Sequence, residues 1–259
     1  MRVAVIGGTG LAGRSTVAAL QRGGHEAVVV ARSRGVDVRT GEGLDEALTG
    51  VEAVIDATNT PASHAEQSRA FFAASSAHLL AAERRLGVPH HVVLSVVGID
   101  RVEGNAHYAG KRRQEELARA GEVPASIVRA TQFYEFAEMI VGLSLRGDEA
   151  LIPPLLVQPV AVGDVGEALA GIATGPPLAD TLEIAGPDTH DLVDMARRTL
   201  AARGETLRLV PSWRGAFGAE MAGEVLLPGP DAVILPTTFE AWLDVIGRSS
   251  RTPDNATGS

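Results

Sequence analysis

The sequence predicts an α/β protein with a Rossmann-like, doubly wound parallel sheet and a small C-terminal α+β lobe. Short apolar runs alternate with stretches of helical periodicity through the first half of the chain. A glycine-rich turn joins the first apolar run to the first helix, and after Thr131 the alternation gives way to short, mixed elements. Strands separated by helices indicate a parallel sheet built from right-handed crossovers.

The elements of the first half are bounded by glycine, proline and changes of periodicity. Strands are predicted at residues 2–6, 27–31, 52–57, 91–95 and 125–129, with a short extended piece at 36–38. Helices are predicted at residues 11–22, 43–49, 64–86 and 106–120.

The second half predicts strands at 158–162, 181–184 and 207–210, with helices from Asp164, at 190–203 and from Thr237. We therefore expect a single domain over residues 1–248. Its core comprises about residues 1–131 plus returning segments, and its substrate lobe lies mainly within 132–248. The tail at 249–259 is polar and lacks large apolar residues, so we expect it to be disordered.

Composition excludes several classes of function. The chain has 259 residues, a formal charge of −9 and no cysteine, which excludes disulfides, a cysteine nucleophile and cysteine-ligated metals. The acidic balance argues against nucleic-acid binding. No apolar run approaches the roughly 18 residues of a membrane-spanning helix, and the first apolar run stops too early for a signal peptide. We expect a cytoplasmic protein that binds a small molecule, with its oligomeric state open between monomer and homodimer.

Histidines do not predict a metal site. His90 and His91 open a strand, where neighbouring side chains point to opposite faces. The remaining histidines outside the 106–120 helix are isolated in sequence.

The turn after the first strand has the pattern G-x-x-G-x-x-G at Gly7, Gly10 and Gly13. Glycine permits a sharp turn, a close approach of the backbone to a pyrophosphate and tight packing of helix on strand. The anion then lies at the positive N-terminus of the helix. We expect these glycines, with Thr9 and Leu11, to bind a dinucleotide.

The residues after the second strand indicate NADP rather than NAD. An NAD site carries a carboxylate there for the ribose 2′-hydroxyl, whereas this chain has Arg32, Ser33 and Arg34. A guanidinium and a hydroxyl attract a 2′-phosphate. We expect Arg32 and Ser33 to contact it, with Arg34 as a further candidate; the alternative is that these arginines are solvated loop residues.

A third group follows the strand that ends at Ala57. The carboxyl ends of parallel strands are where open α/β sheets bind ligands. We expect Ala57 and Thr58 to lie along the cofactor and Asn59 to hydrogen-bond to ribose.

Several motifs together resemble the NmrA-like branch of the atypical short-chain dehydrogenases/reductases, and the resemblance extends to about residue 243. The segments that carry it are GGTGLAGR (7–14), LSVVGID (94–100), IVRATQFYEF (127–136), QPVAV (158–162) with Asp164, EIAGP (183–187), LPGP (227–230) and TTFE (237–240). The family implies a Rossmann-like sheet, a small C-terminal substrate lobe and NADP binding. It includes quinone- or enone-type reductases and members that sense the cofactor without turnover.

The family's catalytic Tyr-x-x-x-Lys helix and its serine are only partly matched. The lysine is Lys111, but His107 lies four residues before it and Tyr108 three. Either side chain shares a helix face with Lys111, and His107 could act as an acid near neutral pH. Ser95 is present, but Val97 stands where a catalytic hydroxyl would be useful. The resemblance therefore implies an absent or displaced triad.

Lys111 is the one lysine among 23 basic residues, so the other 22 are arginine. It lies within a basic run that would ordinarily be a solvated helix face. A compact ammonium fits between ribose hydroxyls better than a planar guanidinium does, and we expect Lys111 to hold the nicotinamide ribose.

Phe133 and Tyr134 follow the strand at 125–129, and with Val97 they are predicted to line a substrate pocket, although core packing explains the two aromatics equally well. The leading hypothesis is an NADPH-dependent reductase of a small carbonyl, enone or quinone. Two alternatives remain, a cofactor-binding sensor that regulates a protein partner and a non-redox isomerase, cyclase or dehydratase.

Overall fold

A computed structural model describes residues 1–61, 63–214 and 217–251, with side chains to residue 248. The chain divides into two compact units. The first comprises Met1–Ala130, Val162–Ile184 and Pro228–Val233. The second comprises Thr131–Ala161, Ala185–Leu227 and the segment from Ile234 onward.

The first unit is built on a seven-stranded sheet of order β12-β9-β5-β4-β3-β1-β2. Strands β1 to β5 and β9 pair in parallel throughout. The strands are β1 Arg2–Ile6, β2 Glu26–Val30, β3 Ala53–Asp56, β4 His91–Val96, β5 Ala125–Ala130, β9 Leu182–Ala185 and β12 Val233–Ile234.

Helices of the first unit form two packed groups, as expected for the two faces of a doubly wound sheet. They are α1 Leu11–Arg22, α2 Leu44–Leu48, α3 Ala65–Leu86, α4 Ala106–Ala120 and α6 Val162–Ala173. Helix α1 packs on α6, while α3 packs on both α2 and α4. Glycine permits the close approach of α3 and α4, because a Cβ on Gly110 would lie 2.1 Å from Ser68 Oγ. The predicted α/β fold class is confirmed.

The sheet aligns the carboxyl ends of its strands at the point where strand order reverses. The chain passes from β1 outward to β2 and then returns to β3 on the other side of β1. The register pairs Ile6 with both Val30 and Asp56, so β1, β2 and β3 end level with one another. Open α/β sheets bind ligands at this kind of switch point.

Among its described residues the second unit has three α-helices and five short strands, and the rings of Tyr134, Phe239 and Trp242 pack together within it. These helices and strands are α5 Phe136–Ser144, β6 Leu145–Arg146, β7 Glu149–Ile152, β8 Leu156–Val157, β10 His190–Asp191, α7 Leu192–Arg203, β11 Arg208–Pro211 and α8 Phe239–Arg251. Strands β11, β7 and β6 form one sheet, and β10 pairs with β8. Helix α7 packs on α5 and α8.

Several predicted elements differ from the structure. The extended piece at 36–38 is only an isolated bridge between Asp37 and Glu42, and the strand at 158–162 is reduced to a bridge between Phe133 and Val160. Helix α5 and strands β6 to β8 were not predicted. Helix α8 continues to Arg251, three residues into the segment expected to be disordered, and residues 252–259 lie outside the described part of the chain.

In the described part of the chain, every helix is too short or too polar to cross a membrane.

The contact between Gly13 and the first turn gives a direct test of the fold. A Cβ on Gly13 would lie 2.1 Å from the Gly7 carbonyl oxygen, so we expect Gly13→Ala to lower the free energy of unfolding by at least about 2 kcal/mol. The matched control is Gly171→Ala on α6, where a Cβ meets nothing within 4 Å. Because alanine is the better helix former, this control should raise the free energy of unfolding by up to about 1 kcal/mol. Urea unfolding measures both, and equal effects of the two substitutions would contradict the close approach.

Candidate functional site

The turn between β1 and α1 is shaped by the absence of side chains. Gly7 has a φ of 73°, a left-handed conformation that side chains disfavour. Its N–H donates to the Val30 carbonyl at 2.9 Å, which anchors the turn to the end of β2. A Cβ on Gly8 would lie 2.9 Å from the Val5 carbonyl oxygen, and the Gly13 position has still less room. The backbone of the turn is therefore packed too closely to admit side chains at these positions.

The N-terminus of α1 faces solvent. Thr9, Gly10 and Leu11 are exposed, and Leu11 keeps 41% of its surface accessible despite its apolar side chain. Gly10 is the N-cap residue and supplies no side-chain acceptor for the first-turn N–H groups. These groups lack intrahelical partners by geometry, so they are available to an anion.

Arg32, Ser33 and Arg34 form an exposed 3₁₀ turn directly after β2. Within the described residues, no ion pair involves Arg32 or Arg34. A nearby carboxylate, Asp37, accepts hydrogen bonds from the Arg39 side chain and backbone, which lower its pKa. The charge of Arg32 contributes to this lowered pKa without a hydrogen bond to Asp37. The turn therefore presents a hydroxyl and two guanidinium groups that have no ion-pair partner among the described residues.

The segment after β3 lies against the glycine turn. The Ala57 carbonyl oxygen would be 2.9 Å from a Cβ on Gly7, so these two loops touch backbone to backbone. Asp56 is buried, and its carboxylate accepts hydrogen bonds from the Thr58 N–H at 3.0 Å and the Thr58 hydroxyl at 2.7 Å. Asn59 is exposed at the end of this segment, and its side-chain oxygen accepts from the Thr60 N–H.

Lys111 is buried on α4, with 5% of its surface exposed. Its ammonium donates to three acceptors, the Thr58 carbonyl at 3.0 Å, the Leu94 carbonyl at 2.8 Å and Gln114 Oε1 at 2.9 Å. The ammonium also lies 5.0 Å from the centre of the Phe72 ring. Burial lowers the pKa of Lys111 to about 8, opposed by the negative charges of Asp56 and Glu115.

His107 lies near Lys111 in the first turn of α4 and is half-buried. Its backbone N–H, like that of Tyr108, donates to the side chain of the N-cap residue Asn105. Burial, together with the positive charge of Lys111, lowers the pKa of His107 to about 4. The imidazole is therefore neutral near neutral pH, which removes the positive charge that an imidazolium acid would need.

Tyr108 is almost fully buried, at 3% exposure, and its ring packs edge-on against that of His107 with centroids 6.0 Å apart. Tyr108 lies three residues before Lys111, and its enclosure favours a packing role.

Ser95 and Val97 occupy the carboxyl end of β4. Ser95 is buried, and its hydroxyl has no hydrogen-bond partner among the described residues. Val97 has no exposed surface, and its N–H donates to the Ala130 carbonyl. Position 97 thus carries a buried apolar side chain and offers no hydroxyl.

Phe133 and Tyr134 belong to the second unit. Phe133 is half-buried and bridges to Val160. Tyr134 is buried, packs against Phe239 and Trp242, and donates its hydroxyl proton to the Thr237 carbonyl at 2.7 Å. Their assignment to a substrate pocket stays a prediction.

The first unit brings most of the predicted site residues to one edge of the sheet. Residues after β1, β2, β3 and β4 all follow the carboxyl ends of parallel strands. Sequence reasoning missed Gln114 and the role of Asp56, although both left a signal. Gln114 lies three residues after Lys111 on the same helix face, and Asp56 is a carboxylate ending a buried strand.

Comparison with known proteins supports the fold. No family model matches the chain, and no curated protein matches it. Three solved structures illustrate the structural likeness. A nucleoside-diphosphate-sugar epimerase from Staphylococcus aureus has a TM-score of 0.68 at 14% identity, with 94% of this chain and 99% of that chain covered.

A short-chain dehydrogenase/reductase superfamily protein from Agrobacterium tumefaciens, solved with bound NAD, has a TM-score of 0.68 at 16% identity over 97% of both chains. The triphenylmethane reductase of Citrobacter sp., solved with NADP(H), has a TM-score of 0.64 at 16% identity, with 83% of this chain and 80% of that chain covered. At these identities the likeness establishes the fold alone.

The lowered pKa of Lys111 predicts a pH dependence of stability. Between pH 8 and 10.5 the unfolded chain holds a proton at this lysine that the folded chain has released. The free energy of unfolding, measured relative to Lys111→Met, should therefore rise with pH across this window by about 3 kcal/mol. Urea unfolding at both ends of the window checks it, with Arg113→Met on the exposed side of α4 as control. A flat difference between wild type and Lys111→Met would contradict the shift.

Proposed function

We propose that this chain is an NADP(H)-dependent oxidoreductase of the NmrA-like short-chain dehydrogenase/reductase type, acting on a small carbonyl, enone or quinone. The observation that carries the proposal is the glycine turn at the switch point of the sheet, which leaves the first turn of α1 without a side-chain cap, together with the exposed Arg32 and Arg34 after β2. A Cβ on Gly7 or Gly13 would collide with backbone atoms, so the chain can turn this tightly only with glycine at both positions, as a pyrophosphate-binding turn requires.

The chain's own groups have distinct tasks in this proposal. The N–H groups of Thr9, Leu11 and Gly13 bind the pyrophosphate, while Gly7 and Gly10, whose own N–H groups donate to the Val30 and Gly7 carbonyls, shape the turn that surrounds it. Arg32 and Ser33 bind the 2′-phosphate, and Ala57 to Asn59 line the bound dinucleotide. When bound, the cofactor supplies a hydride, which carries two electrons to the substrate and leaves an oxidised nicotinamide.

The electrostatics of α4 favour substrates that need little acid catalysis. His107 is neutral, and each proton of the Lys111 ammonium already has an acceptor. A reduced quinone or enone carries a delocalised oxyanion, which solvent can protonate after hydride transfer. A simple ketone would need a proton donated during the transfer, and His107 is not in the protonated, imidazolium form near neutral pH that could donate it.

Turnover is tested by mixing the full chain with NADPH and a panel of quinones, enones and simple ketones. Loss of the reduced-nicotinamide absorbance in proportion to protein concentration, with formation of one hydroquinone per NADPH, supports a reductase. Absence of loss across the panel despite NADPH binding contradicts it.

A non-catalytic NADP(H) sensor is the second candidate, because Val97 and the neutral His107 replace parts of the expected triad. The sensor predicts tight NADPH binding without oxidation on the same panel. A non-redox enzyme predicts product formation without net consumption of cofactor, so the three readings give separate outcomes.

Removing the two unpaired charges should lower affinity for NADPH selectively. We expect Arg32→Ala with Arg34→Ala to raise the Kd for NADPH by about 10- to 100-fold, the loss of one or two charge-assisted hydrogen bonds. The Kd for NADH should stay within about twofold, since NADH lacks the 2′-phosphate.

Calorimetric titration with both cofactors measures the effect. Arg22→Ala is the control, because Arg22 ends α1 about 18 Å from the turn and pairs with Glu167. Equal weakening of NADH and NADPH would remove the 2′-phosphate assignment.

The low pKa of His107 predicts that this residue produces no transition near pH 6.5 in the pH profile of the reaction. Because the imidazole stays neutral down to about pH 4, the rate of quinone reduction should show no ionisation at the ordinary histidine value of 6.5. His107→Asn should leave the profile shape unchanged, as should His78→Asn at an exposed position of α3. A transition near pH 6.5 that only His107→Asn abolishes would overturn the assignment of a neutral imidazole.

A further inference from the structure

We propose that Lys111 is a positioning residue, which fixes the segments after β3 and β4 through a buried network with Asp56, Thr58 and Gln114, and does not hold the cofactor ribose. The inference deepens the proposed function and rests on it for its cofactor measurements. Its structural part stands on hydrogen bonds within the first unit alone.

The Lys111 ammonium has one acceptor for each of its donors. A lysine ammonium has three N–H donors and no acceptor. Lys111 finds three acceptors at 2.8 to 3.0 Å, two of them main-chain carbonyls, and 95% of its surface is covered. A ribose hydroxyl would have to displace one of these bonds, and the charged donor would then leave a buried carbonyl unpaired.

The network continues from the ammonium to a carboxylate. Gln114 accepts from Lys111 through Oε1 and donates through Nε2 to Asp56 Oδ2 at 2.7 Å. Asp56 Oδ1 accepts both from the Thr58 N–H and from its hydroxyl. A neutral amide thus links a buried positive charge to a buried negative one, and each charge has hydrogen-bond partners.

The network fixes the backbone of the segments after β3 and at the end of β4. Thr58 is fixed at its carbonyl, its N–H and its hydroxyl. The bonded carbonyl of Thr58 immediately precedes Asn59, and that of Leu94 immediately precedes Ser95. One ammonium therefore sets the backbone that presents the two residues expected to face ribose and substrate. Lys111 acts on the site through these carbonyls.

The test compares Lys111→Met, Gln114→Met, the double variant and the control Arg113→Met, whose native side chain is exposed on the same helix. Hydrogen exchange of peptides covering residues 53–61 should accelerate in both single variants and stay unchanged in the control. We expect each single variant to weaken NADPH binding by about 10-fold. The double variant should be no worse than either single within about twofold, because the residues act as one unit.

A cofactor analogue separates positioning from direct ribose binding. NADPH lacking the hydroxyls of the nicotinamide ribose should bind more weakly than NADPH by the same factor in wild type and in Lys111→Met. If the hydroxyls matter in wild type but not in Lys111→Met, Lys111 holds the ribose and the proposal is overturned.

Two further outcomes decide whether Lys111 is a positioning residue. A lowered melting temperature with an unchanged Kd for NADPH means a purely structural role and overturns positioning. If wild type binds no dinucleotide, the proposed function fails separately, and exchange at 53–61 decides the network: faster exchange supports it, and unchanged exchange overturns it. Gln114→Met carries the test alone if Lys111→Met does not fold.

Discussion

The arrangement of the first unit depends on the close packing of backbone on backbone at the turn between β1 and α1. Gly13 passes the Gly7 carbonyl at a distance that excludes any Cβ, and the Gly7 N–H binds the end of β2. On its other side Gly7 touches the Ala57 carbonyl. One turn therefore sets the spacing of β1, α1, β2 and the segment after β3. The same packing leaves the first turn of α1 without a side-chain cap, which is the feature that the proposed anion site uses.

Burial is the main cause of the shifted pKa values of His107 and Lys111 on α4. Enclosure lowers the pKa of both His107 and Lys111, and the charge of the second reinforces the shift of the first. Two neighbouring buried cations repel each other, so near neutral pH Lys111 is protonated and His107 is neutral. The lysine retains its charge because it has three acceptors and because Asp56 balances it through Gln114. The helix is thus organised around one stabilised positive charge.

The accuracy of sequence reasoning depended on which force specifies each element. Helices α1 and α4 and strand β1 were predicted at their observed bounds, because apolar periodicity and flanking glycines specify them locally. The two-residue strands β8 and β10 exist only through their pairing with each other across a long stretch of chain, so no local pattern marks them. The site divides similarly. The glycine spacing of the first turn is visible in the sequence. The three acceptors of Lys111 come from separate segments of the chain, so only the structure shows that they meet.

The chain as a whole is acidic, so the proposed preference for a 2′-phosphate must come from a local group of arginines. Over the whole molecule the charge of −9 repels phosphate, so attraction must come from groups whose charge no carboxylate compensates. The nearest acidic side chain of that loop, Asp37, is occupied by Arg39, and this pairing lowers its pKa. Arg32 acts on Asp37 through its charge alone, and neither Arg32 nor Arg34 has an ion-pair partner among the described residues. In the proposed site Arg39 therefore acts indirectly, by pairing with a carboxylate that would otherwise be available to Arg32.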